Sequence, residues 1–306
     1  MSTPSSWKRG WVRTTVVAAL PWSWFLVRNL GWIAEPFAVA LPLVGVAGVA
    51  LAALIALVRQ RIQPLVVAGS LLVLTAIVVA GPRRPQPTPV PVDPLRIVSA
   101  NVFDGNATPE QAARVLADID ADVLVTVETG RAFPRLLANL DRERPYAFAG
   151  SQIVIRSRYT VRSLPPPASL PEGRVVRAVI ERPTAPVVLY AVHAMDPAYE
   201  STFRRQLEFV ARLSRAAESE ADPVVIAGDF NMSDRQLGYR RMTSVFRDAT
   251  RTGWAADTYD HSVWRLLFMR IDYVFVRQDW CAADAERFTV PGSDHQGVAT
   301  TVGPCP

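Results

Sequence analysis

The stretch Val224-Val225-Ile226-Ala227-Gly228-Asp229-Phe230-Asn231 decides how the rest of the chain is read. Four apolar residues follow Asp222-Pro223 and predict a buried β-strand that stops on Gly228. A carboxylate and a carboxamide then stand one residue apart. In an extended backbone alternate side chains share a face, so Asp229 and Asn231 are expected to leave the sheet end together. An anionic acceptor beside a neutral donor at a sheet edge suits a metal-dependent phosphoester site. An Asx turn closing the strand accounts for Gly-Asp-Phe-Asn equally well, so the weight falls on the surrounding stretches.

Upstream, residues 1–82 differ in character from the rest, with long apolar runs and few charges. They read as a membrane anchor of three transmembrane helices, at about 12–30, 36–58 and 64–82. The first is the weakest, because its apolar core is short and Arg28 lies near its far end, where Trp22, Trp24 and Trp32 suit an interface. A cleaved signal peptide is the competing reading, but no small-residue cleavage site precedes the next span. With three spans, Lys8, Arg9, Arg13, Arg59 and Arg61 fall on one side and Arg28, Arg83 and Arg84 on the other. That asymmetry favours a multi-pass protein of the cell membrane with its large domain extracytoplasmic; a two-span reading reverses that orientation.

Residues 1–82 hold six basic side chains against Glu35 alone, which accounts for the whole net charge of +5. The remainder is balanced, so no broad nucleic-acid-binding surface is indicated. Local clustering at Arg240, Arg241, Arg247 and Arg251 leaves room for a smaller basic patch. Residues 83–94 are proline-rich and predict an extended spacer that lifts the following domain, residues 95–306, away from the bilayer. Cys281 and Cys305 lack zinc-ligand spacing; they are either a bridge tying down the C-terminus or two unrelated buried thiols.

Within the domain the pattern is α/β. Strands are expected at Leu95–Ala100, Asp122–Val127, Ile153–Arg156, Val224–Ala227, Ile271–Val276 and Gly297–Val302, with a hairpin from Arg174–Ile180 and Val187–Val192. Thr108-Pro109-Glu110-Gln111 opens a helix with the pattern of a capping box. Further helices are expected over Arg131–Leu140 and, amphipathically, Tyr199–Ala217. The polar residues then fall into place. Asn101, Glu128, His193, Asp229 and Asn231 each follow a strand end, Asp272 begins a strand, and Asp294-His295 precedes the last one. Side chains gathered at strand ends build a sheet-based site. Glu128 and Asn101 offer the oxygen donors that Mg²⁺ prefers. His295 has a ring able to titrate near neutrality, and Asp272 could accept its N–H. Singly, each is as readily a solvated carboxylate or an ordinary histidine; His261 receives no role.

Taken in order, Asn101, Glu128, Val192-His193, Gly228-Asp229-Phe230-Asn231, Arg270-Ile271-Asp272-Tyr273-Val274-Phe275 and Gly292-Ser293-Asp294-His295 resemble the endonuclease/exonuclease/phosphatase (DNase I-like) superfamily. The resemblance runs from Leu95 to Val302 and implies a four-layer α/β sandwich of two packed sheets with helices outside. It also implies roles. Glu128 would bind Mg²⁺, with Mn²⁺ as the alternative ion, supported by Asn101 and with Asp294 near the metal. Asp229 would orient and deprotonate the attacking water, and Asn231 would position it or hold a phosphate oxygen. His193 and His295, the latter held by Asp272, would hydrogen-bond the phosphoryl group.

Two departures bear on substrate. The first motif reads Ser99-Ala100-Asn101-Val102 rather than Thr-Trp-Asn, and Glu128 is followed by Thr129-Gly130 rather than an apolar residue. The layout, an apolar anchor before such a domain, is similar to membrane phosphatases associated with teicoplanin resistance, which act on undecaprenyl pyrophosphate. The expected function is therefore a membrane-anchored, Mg²⁺-dependent phosphoesterase. Its partners would be the lipid bilayer and a phosphorylated, lipid-linked substrate, tethering having raised their effective concentration. An extracytoplasmic nuclease or phosphodiesterase, and a non-catalytic membrane-tethered binding protein, are the alternatives.

Overall fold

The computed structural model describes residues 4–150, 152–197, 202–260 and 267–306. Two six-stranded sheets lie face to face, each with helices on its outer side, in a DNase I-like sandwich. The first sheet contains β1 (Leu95–Asn101), β2 (Val123–Val127), β3 (Tyr146–Ala149), β4 (Ile153–Ser157), β11 (Trp280–Thr289) and β12 (Gln296–Pro304), in the order β11-β12-β1-β2-β4-β3. The second contains β5 (Thr160–Leu164), β6 (Val175–Glu181), β7 (Val187–His193), β8 (Val224–Asp229), β9 (Phe246–Asp248) and β10 (Asp272–Arg277), in the order β5-β6-β7-β8-β10-β9. Each sheet has one parallel pair, β1 with β2 and β7 with β8, and each pair lies at the centre of its own sheet.

The core explains why these strands read as unbroken apolar runs. Along β8, Val225 and Ala227 point into the gap between the sheets, while Val224 and Ile226 meet the helices behind. Both faces are buried, so no polar alternation survives. Leu95 and Ile97 of β1, Leu189 and Ala191 of β7, and Val274 and Val276 of β10 fill the same gap. Behind the first sheet lie α5 (Pro109–Asp118) and α6 (Phe133–Leu140); behind the second lie α7 (Phe203–Glu218) and α8 (Leu237–Val245).

Several expectations shift in detail. Thr108 is the N-cap of α5, yet its hydroxyl makes no cap; Asn106 Oδ1 accepts the Thr108 N–H instead, at 2.7 Å. The start of the helix expected from Tyr199 lies outside the described residues, as does His261. Strands β3, β5, β9 and β11 and helix α8 were not read from the sequence, being short, polar or alternately exposed. Cys281 and Cys305 form a disulfide with a sequence separation of 24.

The N-terminal helices depart most from expectation. Among the described residues two helices, not three, are long and apolar enough to cross a membrane, within Gly31–Arg59 and Gln63–Arg83. They contain α3 (Glu35–Arg59) and α4 (Gln63–Ala80). The expected first span is broken: α1 (Pro4–Ala19) ends before Pro21, and a 3₁₀ turn separates it from α2 (Trp24–Val27). Sixteen helical residues rise only about 24 Å, short of an apolar core of about 30 Å. The linker also fails to hold the domain off. It lies along the sandwich, with Gln86 N–H donating to Arg251 O, Thr88 bonded through its hydroxyl to both Ala282 backbone groups, and Val92 N–H donating to Pro304 O. Proline forbids a helix there, but the free carbonyls and remaining amides still pair with the sheet edge.

Candidate active site

Strand period and register assemble the site before any side-chain geometry is considered. Residues two apart share a face, so His193 continues the inward row of Leu189 and Ala191. Asp229 continues that of Val225 and Ala227, Asn101 that of Leu95 and Ile97, and Asp272 that of Val274 and Val276. All four therefore face the gap between the sheets at one end. Register then aligns three of them laterally, Asp229 pairing with His193 of parallel β7 and with Asp272 of antiparallel β10. Glu128 follows β2 in a left-handed conformation (φ 53°), which turns its carboxylate inward at a backbone cost of about 1–3 kcal/mol.

Gly228 is required where it stands. Its φ is 144°, and a Cβ there would lie 1.9 Å from the Val192 carbonyl oxygen. Only glycine lets β8 approach β7 this closely just before Asp229.

The side chains meet around Asn101. Its Nδ2 donates to Glu128 Oε1 at 2.9 Å and to Asp229 Oδ2 at 3.1 Å, and lies 3.4 Å from His295 Nε2. Its Oδ1 accepts the Phe103 N–H at 2.9 Å, so in this arrangement the amide joins the two carboxylates. His193 Nε2 lies 3.1 Å from Glu128 Oε1. His295 Nδ1 lies 2.9 Å from Asp272 Oδ2, and its Nε2 lies 3.9 Å from Asp229 Oδ2. Glu128, His193 and Asp229 form one group able to hold a metal ion, and Asp229, Asp272 and His295 another, all ligand atoms in each lying within 4.8 Å of one another.

The expected extended course from Asp229 to Asn231 does not occur. Asn231 is left-handed, with φ 47°, and its N–H donates to Asp229 Oδ1 at 2.7 Å. This is the Asx turn, and it serves the site by fixing one oxygen of Asp229. Asn231 Nδ2 donates to Ala194 O at 3.0 Å. Asp294 enters neither ligand group among the described residues; its charge acts on His295 from the adjoining turn.

Electrostatics divide the groups. Burial pushes the Glu128 carboxyl up, but hydrogen bonds from His193 and Asn101 outweigh it and hold the group at about 2. Burial raises Asp229 above the ordinary carboxylate range, against the opposing pull of His295. Burial would lower His295, yet Asp272 and Asp229 raise it to about 10. The site thus sets a lowered carboxyl, Glu128, beside a raised one, Asp229, and a raised imidazole, His295.

A hard divalent cation fits this donor set. The Glu128 carboxyl is held low, the Asp229 carboxylate stands close beside it, and carboxylate oxygens are the donors such ions take, with His193 adjoining. His193 Nδ1 is buried without a hydrogen-bond partner, so the ring orientation is not committed elsewhere.

Sequence reasoning missed Arg174 and Tyr259. The Arg174 guanidinium is lowered by burial and raised by the charge of Glu128, which places a cation beside the site. It opens a strand-like stretch, and nothing in Gly-Arg-Val-Val distinguishes it. The Tyr259 ring packs edge-on against His295 with centroids 5.1 Å apart, and the two residues form an isolated bridge. Its surroundings read as loop, so only the fold reveals the contact.

Comparison with solved structures gives the same architecture. A humanised TDP2 from D. rerio aligns with a TM-score of 0.55 and 18% identity, covering 69% of this chain and 100% of that one. A beta toxin variant from Staphylococcus aureus, solved with bound magnesium ions, aligns at 0.53 and 16%, covering 67% and 98%. Sphingomyelinase C from Streptomyces griseocarneus aligns at 0.50 and 15%, covering 69% and 99%. At these identities the likeness establishes the fold. No curated protein matches by sequence. The sequence profile of the Endonuclease/Exonuclease/phosphatase family, however, matches residues 98–295, a span that holds every side chain of the cluster from Asn101 to His295. By fold, by profile and by the residues that meet between its sheets, the chain belongs to the Endonuclease/Exonuclease/phosphatase family.

Proposed function

We propose that this chain is a membrane-anchored, Mg²⁺-dependent phosphoesterase that hydrolyses a phosphate ester or pyrophosphate of a lipid-linked substrate by in-line attack of water. Family membership makes it a phosphoester hydrolase. The observation that carries the chemistry is Asp229, buried and raised, between His193, Asp272–His295 and the ionised Glu128.

Asp229 is the proton acceptor for the attacking water. Its Oδ1 accepts the Asn231 N–H and its Oδ2 accepts Asn101 Nδ2, so the carboxylate keeps one direction. His295, its Nδ1 anchored on Asp272, aims Nε2 into the cluster and donates to a phosphoryl oxygen as negative charge builds there. His193 and Arg174 supply further positive character on the Glu128 side. Glu128 and Asp229, with His193 and Asn101 adjoining, would hold the Mg²⁺. When bound, the ion supplies charge neutralisation and polarises the phosphoryl group.

The lipid-linked substrate is supported by α3 and α4, whose apolar side chains, among them Leu43, Leu51, Leu57 and Leu72, are exposed. An extracytoplasmic domain is supported by the Cys281–Cys305 disulfide, which belongs in an oxidising compartment. A two-span count by itself places the domain on the opposite side. Against it, α1 runs beside α4, with Gly10 next to Gln63 and Trp22 Nε1 donating to Ser70. Lys8 and Arg9 then share an end with Arg59 and Arg61, far from the domain. Against the nuclease reading, three of the four arginines in its candidate basic patch, Arg240, Arg247 and Arg251, spend hydrogen bonds on backbone carbonyls of the chain.

Purified full-length protein, assayed on polyprenyl pyrophosphates, lipid phosphates, sugar phosphates and plasmid DNA with and without Mg²⁺, tests this reading. Mg²⁺-dependent phosphate release from the polyprenyl substrates is expected. Robust plasmid nicking without it would move the assignment to a nuclease.

A further inference from the structure

Glu35 is buried, 2% exposed, in the first turn of α3, and the chemistry described so far makes no use of it. A carboxylate in the first turn of a helix is favoured by the helix's own unpaired amides. Both Glu35 oxygens turn instead to the domain. Oε1 accepts the Leu237 N–H at 2.8 Å, and Oε2 accepts Gln236 Nε2 at 3.1 Å. Leu237 is the first residue of α8, whose N-cap Gln236 makes no side-chain cap of its own. The anchor therefore supplies the missing cap to a helix of the catalytic domain.

The contacts continue to the site. Gln236 Oε1 accepts the Ser233 N–H at 2.6 Å, and its Nε2 lies 3.5 Å from Gln206 Oε1. Gln206 Nε2 donates to the carbonyls of Phe230, at 3.4 Å, and Asn231. Asn231 is the left-handed residue whose N–H holds Asp229. The same loop is gripped twice more. Arg235 Nε donates to Ala38 O at 3.1 Å, and Arg83, just past α4, donates to Asp234 Oδ2 at 2.9 Å. Both ends of the α3–α4 hairpin thus seize residues 234–237, directly after Asp229 and Asn231.

We infer that Glu35 is a positioning residue: by capping α8 and holding Gln236, it keeps the Phe230–Gln236 loop, and through Asn231 the Asp229 carboxylate, in the geometry that catalysis requires. The anchor is then a structural part of the active site as well as a tether. Strain explains the need. Asn231 is held left-handed, a conformation that its surroundings must maintain. Glu35 and the two glutamines provide that constraint from outside the sandwich.

This inference rests on the phosphoesterase reading, and the test separates the two. Full-length wild type, Glu35→Ala and Glu35→Gln are compared in detergent with saturating Mg²⁺ on p-nitrophenyl phosphate and bis(p-nitrophenyl) phosphate, soluble esters that need no membrane. Backbone hydrogen exchange is followed in parallel. For Glu35→Ala, kcat should fall about tenfold with KM within about twofold, as for a misplaced catalytic group. Amides from Asn231 to Leu237 should exchange faster while those of β8 and β10 stay protected. Glu35→Gln keeps one acceptor for Leu237 N–H and should recover most of kcat. Unchanged exchange in the loop, faster exchange spread over the whole sandwich, or a loosened loop with full kcat would each overturn the inference. If wild type hydrolyses no ester while Glu35→Ala still loosens only this loop, the phosphoesterase reading fails and the mechanical coupling stands.

Discussion

The two halves of the site are built differently. On one side His295 is 5% exposed, pinned by Asp272 through Nδ1, flanked by the Tyr259 ring and close to Asn101. On the other, the Glu128 side chain is 23% exposed, and His193 has one ring nitrogen facing Glu128 and the other without a partner. The first half is pre-organised for a proton and a developing charge. The second is more open and keeps an imidazole nitrogen without a partner, which suits the proposed cation. Asp229 belongs to both, sitting in each metal-capable group.

That shared position gives the largest expected effect. Asp229→Asn keeps the shape but removes the base, and kcat should fall by about 10³-fold in steady-state assays with Mg²⁺ saturating. A loss below about tenfold would dissolve the distinction between the halves, since neither would then depend on their common carboxylate. The halves separate next. His295→Asn should cost about 10²-fold in kcat with metal affinity little changed, whereas Glu128→Gln should weaken Mg²⁺ binding by about 10–100-fold in calorimetry. Exchanged phenotypes would mean that the roles are reversed.

The two halves should also fail at opposite ends of the pH scale. Burial opposes the charge on Glu128, yet its hydrogen bonds hold it at about 2 against the ordinary 4.5. Its stabilisation is therefore present above about 4.5 and lost as pH falls towards 2. His295, raised to about 10 by Asp272 and Asp229 against the ordinary 6.5, stabilises fully below 6.5 and loses that contribution as pH rises through 10. Thermal melts of wild type and His295→Asn should converge at high pH, and those of wild type and Glu128→Gln at low pH. His295→Asn also removes the charge that opposes burial at Asp229, so the acid limb of its pH–rate profile should move upward.

The smallest effect lies outside both halves. Reducing Cys281–Cys305, which closes a separation of 24 residues, should cost about 3 kcal/mol of stability while leaving kcat below the melting range unchanged. A change in kcat on reduction would tie the C-terminal strand to the His295 half, which precedes it directly.

Much of the site was legible in the sequence because its residues follow strand ends, and a period of two fixes which side chains of a strand share a face. Asn101, His193, Asp229 and Asp272 could be found that way. The companion prediction for Asn231 failed because the extended period stops at Asp229; the left-handed turn that follows is set by its tertiary contacts with Ala194 and Gln206. Arg174 and Tyr259 carried no local signal, since each acquires its meaning from a neighbour remote in the chain. In the anchor, length and apolarity marked α3 and α4, but the break at Pro21 shortened the expected first span. In the sequence Glu35 entered only as the single acidic side chain of residues 1–82, and folding showed where both its oxygens go.

By itself, the sequence determined the class of fold, the two long apolar helices, and the residue types available for phosphoester chemistry. Those properties depend on periodicity, composition and local turn preferences, which are written along the chain. Tertiary structure decided the pairing of β8 with both β7 and β10, the sharing of Asp229 between two groups, and the seating of the domain against α3 and α4. These depend on contacts between residues tens to hundreds of positions apart, where register and packing, rather than local preference, determine which side chains meet.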